Sequence, residues 1–449
     1  MVTDIVILAA GQGTRMRSNK PKVLHTIAGK PMVQHVLDQA KMLDNSRIHI
    51  VIGHGGDHVK EALASKDVNF IVQQEQLGTG HAVAQALPYL TQGSQVLVLY
   101  GDVPLTPSAI FKNLLAQVDS QQMALLTVNL ENPNGYGRII RDGAGLVTAI
   151  VEQKDANDEQ LKIQEINTGI MALTQPQLAE WLPKLSSENA QGEYYLTDVI
   201  AMASKSGVAV KTAQPDFEQE VQGVNNRQQQ AELERWYQRQ LAEQLMIKGA
   251  SLADPARIDI RGSLTVGRDC FIDINTLFDG DVVLGDGVQI GPNCVIKNST
   301  LGTNTQVDAN SVIDGASIAE SCSIGPFARI RPASELLAGA KVGNFVETKK
   351  SVIGVGAKIN HLTYIGDANI GAKVNVGAGT ITCNYDGVNK FKTEVGEGAF
   401  IGSNSSLVAP VTIGANAVIG AGSTISKDVE AGALAVARSR QIIKSGWKK

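Results

Sequence analysis

The chain has 449 residues, of which 43% are hydrophobic, 19% charged and only 4% aromatic, with 45 glycines and a formal net charge of −4. That length exceeds one compact core and calls for two or three domains, and the composition excludes a disordered chain. The lack of a basic excess excludes a general nucleic-acid binder, whose affinity rests on clustered Lys and Arg.

No basic flank with a long apolar run and a small-residue cleavage site opens the chain, and no apolar stretch approaches the ~20 residues of a membrane helix. The expectation is a soluble, cytoplasmic protein without membrane insertion. Residues 4–10, Asp-Ile-Val-Ile-Leu-Ala-Ala, read as a buried strand running into Gly11-Gln12-Gly13-Thr14-Arg15-Met16. A strand entering a glycine turn suggests phosphate contacts through backbone N–H groups. Met16 stands where a dinucleotide fingerprint has its last glycine, and no Gly-Lys-Ser/Thr closes the loop, so neither that motif nor a Walker A loop fits. Arg15 and Lys22 put two cations beside the turn, as a triphosphate with a charged leaving group requires. An ordinary strand-to-helix turn is the alternative.

Further strands are expected over 47–53, 69–73 and 95–100, separated by helices over 32–42 and 80–87. This alternation predicts a Rossmann-like α/β domain with a mainly parallel, doubly wound sheet, which binds ligands beyond the carboxyl ends of its strands. Asp102 emerges at such an end, closing Leu97-Val98-Leu99-Tyr100-Gly101-Asp102. It is a candidate Mg²⁺ ligand, placed to draw charge off an α-phosphate; the alternative is a turn aspartate bonding its own backbone. Residues 226–248, with Leu233, Tyr237, Leu241 and Leu245 along one face and Gly249 at the end, read as an amphipathic helix linking domains over 1–225 and 249–449.

From Ile260 an aliphatic or aromatic residue recurs every six positions, through Val266, Ile272, Phe278, Leu284, Ile290 and Ile296. After slips of five the register resumes at Leu301, Val307, Ile313, then Ile318, Ile324, Ile330, Leu336, Val342, then Ile353, Ile359, Ile365, and last Val395, Ile401, Leu407, Ile413, Ile419, Ile425. A six-residue period fits neither helix nor hairpin; it predicts a parallel solenoid in which each hexad makes one short strand and one corner. Four positions after the aliphatic residue a small one recurs, as at Ala328, Ala357, Ala399 and Ala417, and Cys270, Cys294 and Cys322 fall there too. With Cys383 they form no CxxC pair, so neither zinc site nor disulfide framework is expected. Between Thr382 and Val395 the period gives way to Cys383-Asn384-Tyr385-Asp386-Gly387-Val388-Asn389-Lys390-Phe391-Lys392, read as a loop thrown out from a corner, either a tolerated insertion or a binding element. His361 follows the inward Ile359 by two positions, off both core positions of its hexad, and an imidazole titrating near neutrality suits a general base. Beyond Glu430 the tail carries Arg438, Arg440, Lys444, Lys448 and Lys449 and no acid, which suits phosphates or a merely solvated tail.

Leu8-Ala9-Ala10-Gly11-x-Gly13-Thr14-Arg15-Met16 with Pro21-Lys22, Gln76-Leu77-Gly78-Thr79-Gly80-His81, Tyr100-Gly101-Asp102, Asn360-His361-Leu362-Thr363-Tyr364 and the hexapeptide half together make the chain resemble, end to end, the bacterial bifunctional N-acetylglucosamine-1-phosphate uridylyltransferase/glucosamine-1-phosphate N-acetyltransferase family. The resemblance implies a nucleotidyltransferase domain followed by a left-handed parallel β-helix with three hexads per coil. It implies acetyl transfer from acetyl-CoA to glucosamine 1-phosphate, then uridylyl transfer from UTP to N-acetylglucosamine 1-phosphate, feeding peptidoglycan and lipopolysaccharide precursors. It puts the nucleotide on Leu8, Ala10, Gly11, Arg15, Lys22, Gln73, Gly78 and Thr79, with Ala9, Tyr100 and Gly101 in the same motifs. The sugar falls to Gly137, Glu152, Asn167 and Asn225, and Mg²⁺ to Asp102 and Asn225. Gln12 departs from the Lys of many relatives and puts one phosphate contact in doubt. In the second domain the resemblance implies sugar-phosphate contacts from Arg331, Lys349, Tyr364, Asn375 and Lys390, acetyl-CoA contacts from Ala378, Asn384, Tyr385, Ser403, Ala421 and Arg438, His361 as catalytic base, and a homotrimer. A pyrophosphorylase with a purely regulatory β-helix and a non-catalytic scaffold are the competing readings; His361 speaks against the first, and Arg15, Lys22 and Asp102 against the second.

Overall fold

The computed structural model describes residues 2–53, 55–63 and 67–447. The chain divides into two compact units, Met1–Trp236 and Tyr237–Lys449, and the division falls within one helix, Arg227–Ile247.

The first unit is built on nine strands: β1 (Thr3–Ala9), β2 (Ser46–Ile52), β3 (Val68–Val72), β4 (Gln95–Tyr100), β5 (Gln122–Asn129), β6 (Arg138–Arg141), β7 (Val147–Val151), β8 (Glu165–Thr174) and β9 (Ala209–Ala213). Their spatial order is β9-β5-β8-β4-β1-β2-β3, with the β6–β7 hairpin attached to β8. β1 pairs in parallel with both β2 and β4, and β2 with β3. Alternate residues feed two cores on opposite faces. Ile5, Ile7, Leu97 and Leu99 pack into one, Val6, Leu8, Val96 and Val98 into the other. Burial on both faces is why these strands read as unbroken apolar runs. β8 departs from the parallel scheme, running antiparallel between β4 and β5.

In the second unit every ladder pairing between strands of successive coils is parallel, forming a left-handed β-helix. Ile272, Ile290, Val307, Ile324, Val342, Ile359 and Val376 stack as direct register neighbours from coil to coil. Leu284, Leu301, Ile318, Leu336, Ile353 and Ile370 stack likewise on another wall. Of the inward positions expected from the hexad, only Val266 is partly exposed. Cys270, Cys294 and Cys322 are buried, and burial pushes their thiols up, as befits packing residues. The linking helix buries Leu233, Gln238, Ala242 and Leu245, while Tyr237 and Leu241 are only partly covered. Gln238 is retained inside because its amide accepts the Ile260 N–H and donates to the Ile260 carbonyl, both at 2.8 Å. No described helix is long and apolar enough to cross a membrane.

Candidate functional site

The glycine turn, Gln73 and Asp102 follow β1, β3 and β4, so the parallel order of the sheet gathers all three at one edge. Gly13 has φ 64°, and a Cβ there would stand 2.6 Å from the Cβ of Lys22, so only glycine lets the turn fold down onto Lys22. The turn continues into a single 3₁₀ turn, Thr14–Met16, instead of a helix. Leu8, Ala9, Ala10, Gly11, Lys22, Gln73, Gly78, Thr79, Tyr100 and Asp102 line one cavity of about 490 Å³. Gln12, Gln76 and Glu193 line it as well. Arg15 does not; it is exposed on the 3₁₀ turn. Gly101 is buried against β1, its N–H bonded to the Leu8 carbonyl at 2.9 Å.

Lys22 is the electrostatic centre of this edge. Its ammonium donates to Asp102 Oδ2 in a short ion pair and to Asn225 Oδ1 at 3.0 Å, so a carboxylate and an amide oxygen converge on one cation. Tyr100 packs over Gly169, where any Cβ would lie 2.5 Å from the ring, and burial raises its phenol, with the charges of Glu152 and Asp102 adding to the effect. Burial likewise raises the Glu152 carboxyl, which accepts the Thr197 hydroxyl at 3.2 Å. Gly137 faces Glu152 and accepts the Asn167 N–H through its carbonyl at 2.9 Å. Asn167 folds its own side chain onto the Gly169 N–H at 2.9 Å. Glu193 carried no local signal. It reaches the cavity because Tyr194 straps onto the 77–80 segment, giving its N–H to Leu77 and taking that of Gly80, each at 2.8 Å.

On the β-helix, His361 ends the strand Lys358–His361 and is exposed, in register with Asn344 of the preceding coil. His361 Nδ1 lies 2.6 Å from Asn344 Oδ1, a partner that the hexad pattern did not reveal. Arg331 bonds Glu347 at 2.7 Å, and Glu347 is the register neighbour of Tyr364. Lys349 is held below the usual lysine range, first by contact with the Lys390 ammonium and then by the charges of Lys390 and Arg331. Three cations from separate stretches of chain thus gather on one flank. Asn375 lies in register with Lys358, one coil beyond it. Asn384 donates to Asp367, while Tyr385 is exposed on the loop and its backbone bridges to Lys390. That loop occupies the coil in which Val376 pairs with Ile401, the long step in the ladder.

Ala378, Ser403, Ala421 and Arg438 form a column along one corner. Ala378 accepts the Asn404 N–H at 2.7 Å, Ser403 the Gly422 N–H at 2.8 Å, and Ala421 the Arg438 guanidinium at 2.7 Å. Arg440 is exposed, the Lys444 ammonium lies 5.7 Å from the centre of the Trp447 ring, and Lys448 and Lys449 lie outside the described residues.

Comparison with known proteins adds to this geometry. The MobA-like NTP transferase domain matches residues 5–193, the GMPPB C-terminal domain 260–336 and the bacterial transferase hexapeptide (six repeats) 392–427. The chain is 63% identical over 446 residues to the bifunctional protein GlmU of Saccharophagus degradans, covering 99% of both chains. It is 61% identical to that of Marinobacter nauticus, covering 99% of this chain and 98% of that one, and 61% identical to one from Pseudomonas putida, covering 100% and 98%.

Proposed function

From the chain's membership of the bifunctional GlmU family, to which it belongs at 58–63% identity over nearly its whole length, we infer how its two units divide the work. It is a bifunctional enzyme of UDP-N-acetylglucosamine synthesis, a nucleotidyltransferase and an acetyltransferase in one chain. The observation that carries the division is that each compact unit has its own core and its own cluster of expected site residues.

In the first unit UTP occupies the cavity, its phosphates on the backbone of the glycine turn and on Lys22. A phosphate oxygen of N-acetylglucosamine 1-phosphate attacks the α-phosphorus, the new O–P bond forms as the bond to the β-phosphate oxygen breaks, and pyrophosphate leaves. Gly137, Glu152 and Asn167 hold the sugar. Asp102 and Asn225 hold Mg²⁺, a choice supported by the convergence of their two hard oxygens on one cation, the Lys22 ammonium. When bound, the ion neutralises phosphate charge.

In the second unit Arg331, Lys349 and Lys390 take the phosphate of glucosamine 1-phosphate, with Tyr364 and Asn375 at the sugar. Acetyl-CoA lies along the Ala378-Ser403-Ala421-Arg438 column, near Asn384 and Tyr385. Asn344 accepts the Nδ1–H of His361, which frees Nε2 to take a proton from the sugar's ammonium. The amine then attacks the thioester carbon, the C–N bond forms, the C–S bond breaks, and the proton the nitrogen sheds goes to the departing sulfur, which leaves as the thiol. A homotrimer is supported by the exposed stack of Phe327 on Phe345, ring centroids 5.2 Å apart, beside this site. Cytoplasmic location follows from the nature of these substrates. The test is a pair of assays on one preparation: thiol release from acetyl-CoA with glucosamine 1-phosphate, and pyrophosphate release from UTP with the acetylated sugar. Absence of either activity overturns the reading.

A further inference from the structure

Gln73 follows β3 directly, its N–H bonded to the Ile52 carbonyl at 2.8 Å, and its side chain is 3% exposed in the cavity wall. Both hydrogens of its amide nitrogen are committed. Nε2 donates to the Gly78 carbonyl at 3.3 Å and to Nδ1 of His81 at 3.0 Å. A carbonyl can only accept, so the amide cannot be turned over without setting oxygen against oxygen. Nδ1 of His81 is therefore the acceptor, and a neutral imidazole must then carry its hydrogen on Nε2. Gln85, one turn further along the helix Thr79–Ala86, has its amide nitrogen 3.1 Å from Nε2, and that amide must turn over to set its oxygen on the Nε2 hydrogen. The outcome of this relay is that Gln73 Oε1, which receives no bond from any described residue, is a fixed acceptor in the nucleotide cavity.

We propose that His81 is a positioning residue that locks the Gln73 amide with its oxygen toward the ligand, and so sets a preference for a pyrimidine bearing N–H at ring position 3. Uracil carries that hydrogen; cytosine presents a lone pair there and meets Oε1 acceptor to acceptor. The proposal rests on Gln73 contacting the base. Without the acceptor at position 81, the 3.3 Å bond to Gly78 alone restrains the amide, and rotation lets Nε2–H face cytosine.

The experiment compares kcat/KM for UTP and CTP, with N-acetylglucosamine 1-phosphate, in the full-length chain and in His81→Leu, His81→Ala, His81→Asn and Gln73→Leu. The expected result is a UTP-over-CTP preference reduced about tenfold or more in His81→Leu and His81→Ala, the consequence of freeing one buried hydrogen-bond partner. In His81→Asn, whose side-chain oxygen replaces the Nδ1 acceptor, the preference is retained. If Leu and Ala at position 81 slow both nucleotides equally, or Asn is as permissive as Leu, the proposal is overturned, while a reduced preference in Gln73→Leu keeps the base contact standing. If Gln73→Leu also leaves the preference unchanged, the base does not meet Gln73, and both the proposal and that contact fall.

Discussion

Asn344 stands across one coil from His361 and takes the hydrogen of Nδ1, which leaves the Nε2 lone pair directed outward. A general base typically contributes ~10²–10⁴-fold, so His361→Ala is expected to lower acetyltransferase kcat by about that factor and leave uridylyl transfer unchanged. Asn344→Ala keeps the base but loses its tautomer and orientation, and a smaller loss, roughly tenfold, is expected from the same assay. A folded His361→Ala variant with kcat within about threefold of wild type would refute the assignment. The complementary change is Asp102→Ala. It removes the carboxylate that neutralises Lys22, and uridylyl transfer is expected to vanish while thiol release persists. Normal Mg²⁺-dependent pyrophosphate release in that variant would contradict the metal site. These residues differ in how visible they are along the chain. Asp102 and His361 are marked by their strand end and by their hexad position. Asn344 gains its role only through pairing with a residue one coil away, and Glu193 through the strap at Tyr194, neither of which is a local signal.

Strands and coils show the same division between local pattern and tertiary context. The hexad register is easy to follow wherever an aliphatic residue fills the inward position, and it breaks at Thr348 and Thr382. Both are buried all the same, because their hydroxyls find partners, Ser334 at 3.1 Å and the Gly366 carbonyl at 3.1 Å. In the first unit β1 to β4 announce themselves as doubly buried runs. The reversal of β8 is set by which neighbours it pairs with, and no periodicity within Glu165–Thr174 encodes that. Close approach between coils gives a prediction at this scale. A Cβ on Gly343 would lie 2.1 Å from the Asn360 carbonyl oxygen and 2.8 Å from its carbon, backbone atoms that cannot swing away. Gly343→Ala is therefore expected to destabilise the β-helix by about 1–3 kcal/mol, as overpacking does. It also displaces the strands carrying Asn344 and His361, so thiol release falls and pyrophosphate release does not. An unchanged thermal transition in Gly343→Ala would show that the coils do not crowd this position, since its backbone lies outside the left-handed region.

At the scale of the whole molecule, separate cores predict separate responses to ligand. A ligand that binds only the native state stabilises by about 2.7 kcal/mol at a hundred times its Kd. UTP with Mg²⁺ is expected to raise one calorimetric transition and acetyl-CoA another, and a single transition moved equally by both would count against two autonomous units. The surface features that bear on the proposed homotrimer lie on the β-helix. Phe327, Phe345 and Leu362 follow one another along a corner of successive coils, 49%, 55% and 62% exposed, with φ of 57°, 56° and 49°. Bulky side chains rarely tolerate the left-handed region, and the same corner is turned by Asn293 and Asn310 below and by Gly379 above. Three large apolar groups are thus held outward at a conformational cost where Asn or Gly would serve, and the last of them adjoins His361. In the proposed homotrimer, burial against further copies of the chain is expected to offset that cost, which places the stack at a subunit interface beside His361. Sedimentation equilibrium is expected to give the mass of three chains, and Phe345→Asp to shift it toward one with loss of thiol release but not of pyrophosphate release. A wild-type monomer at assay concentration with full acetyltransferase activity would show that each chain completes its own site.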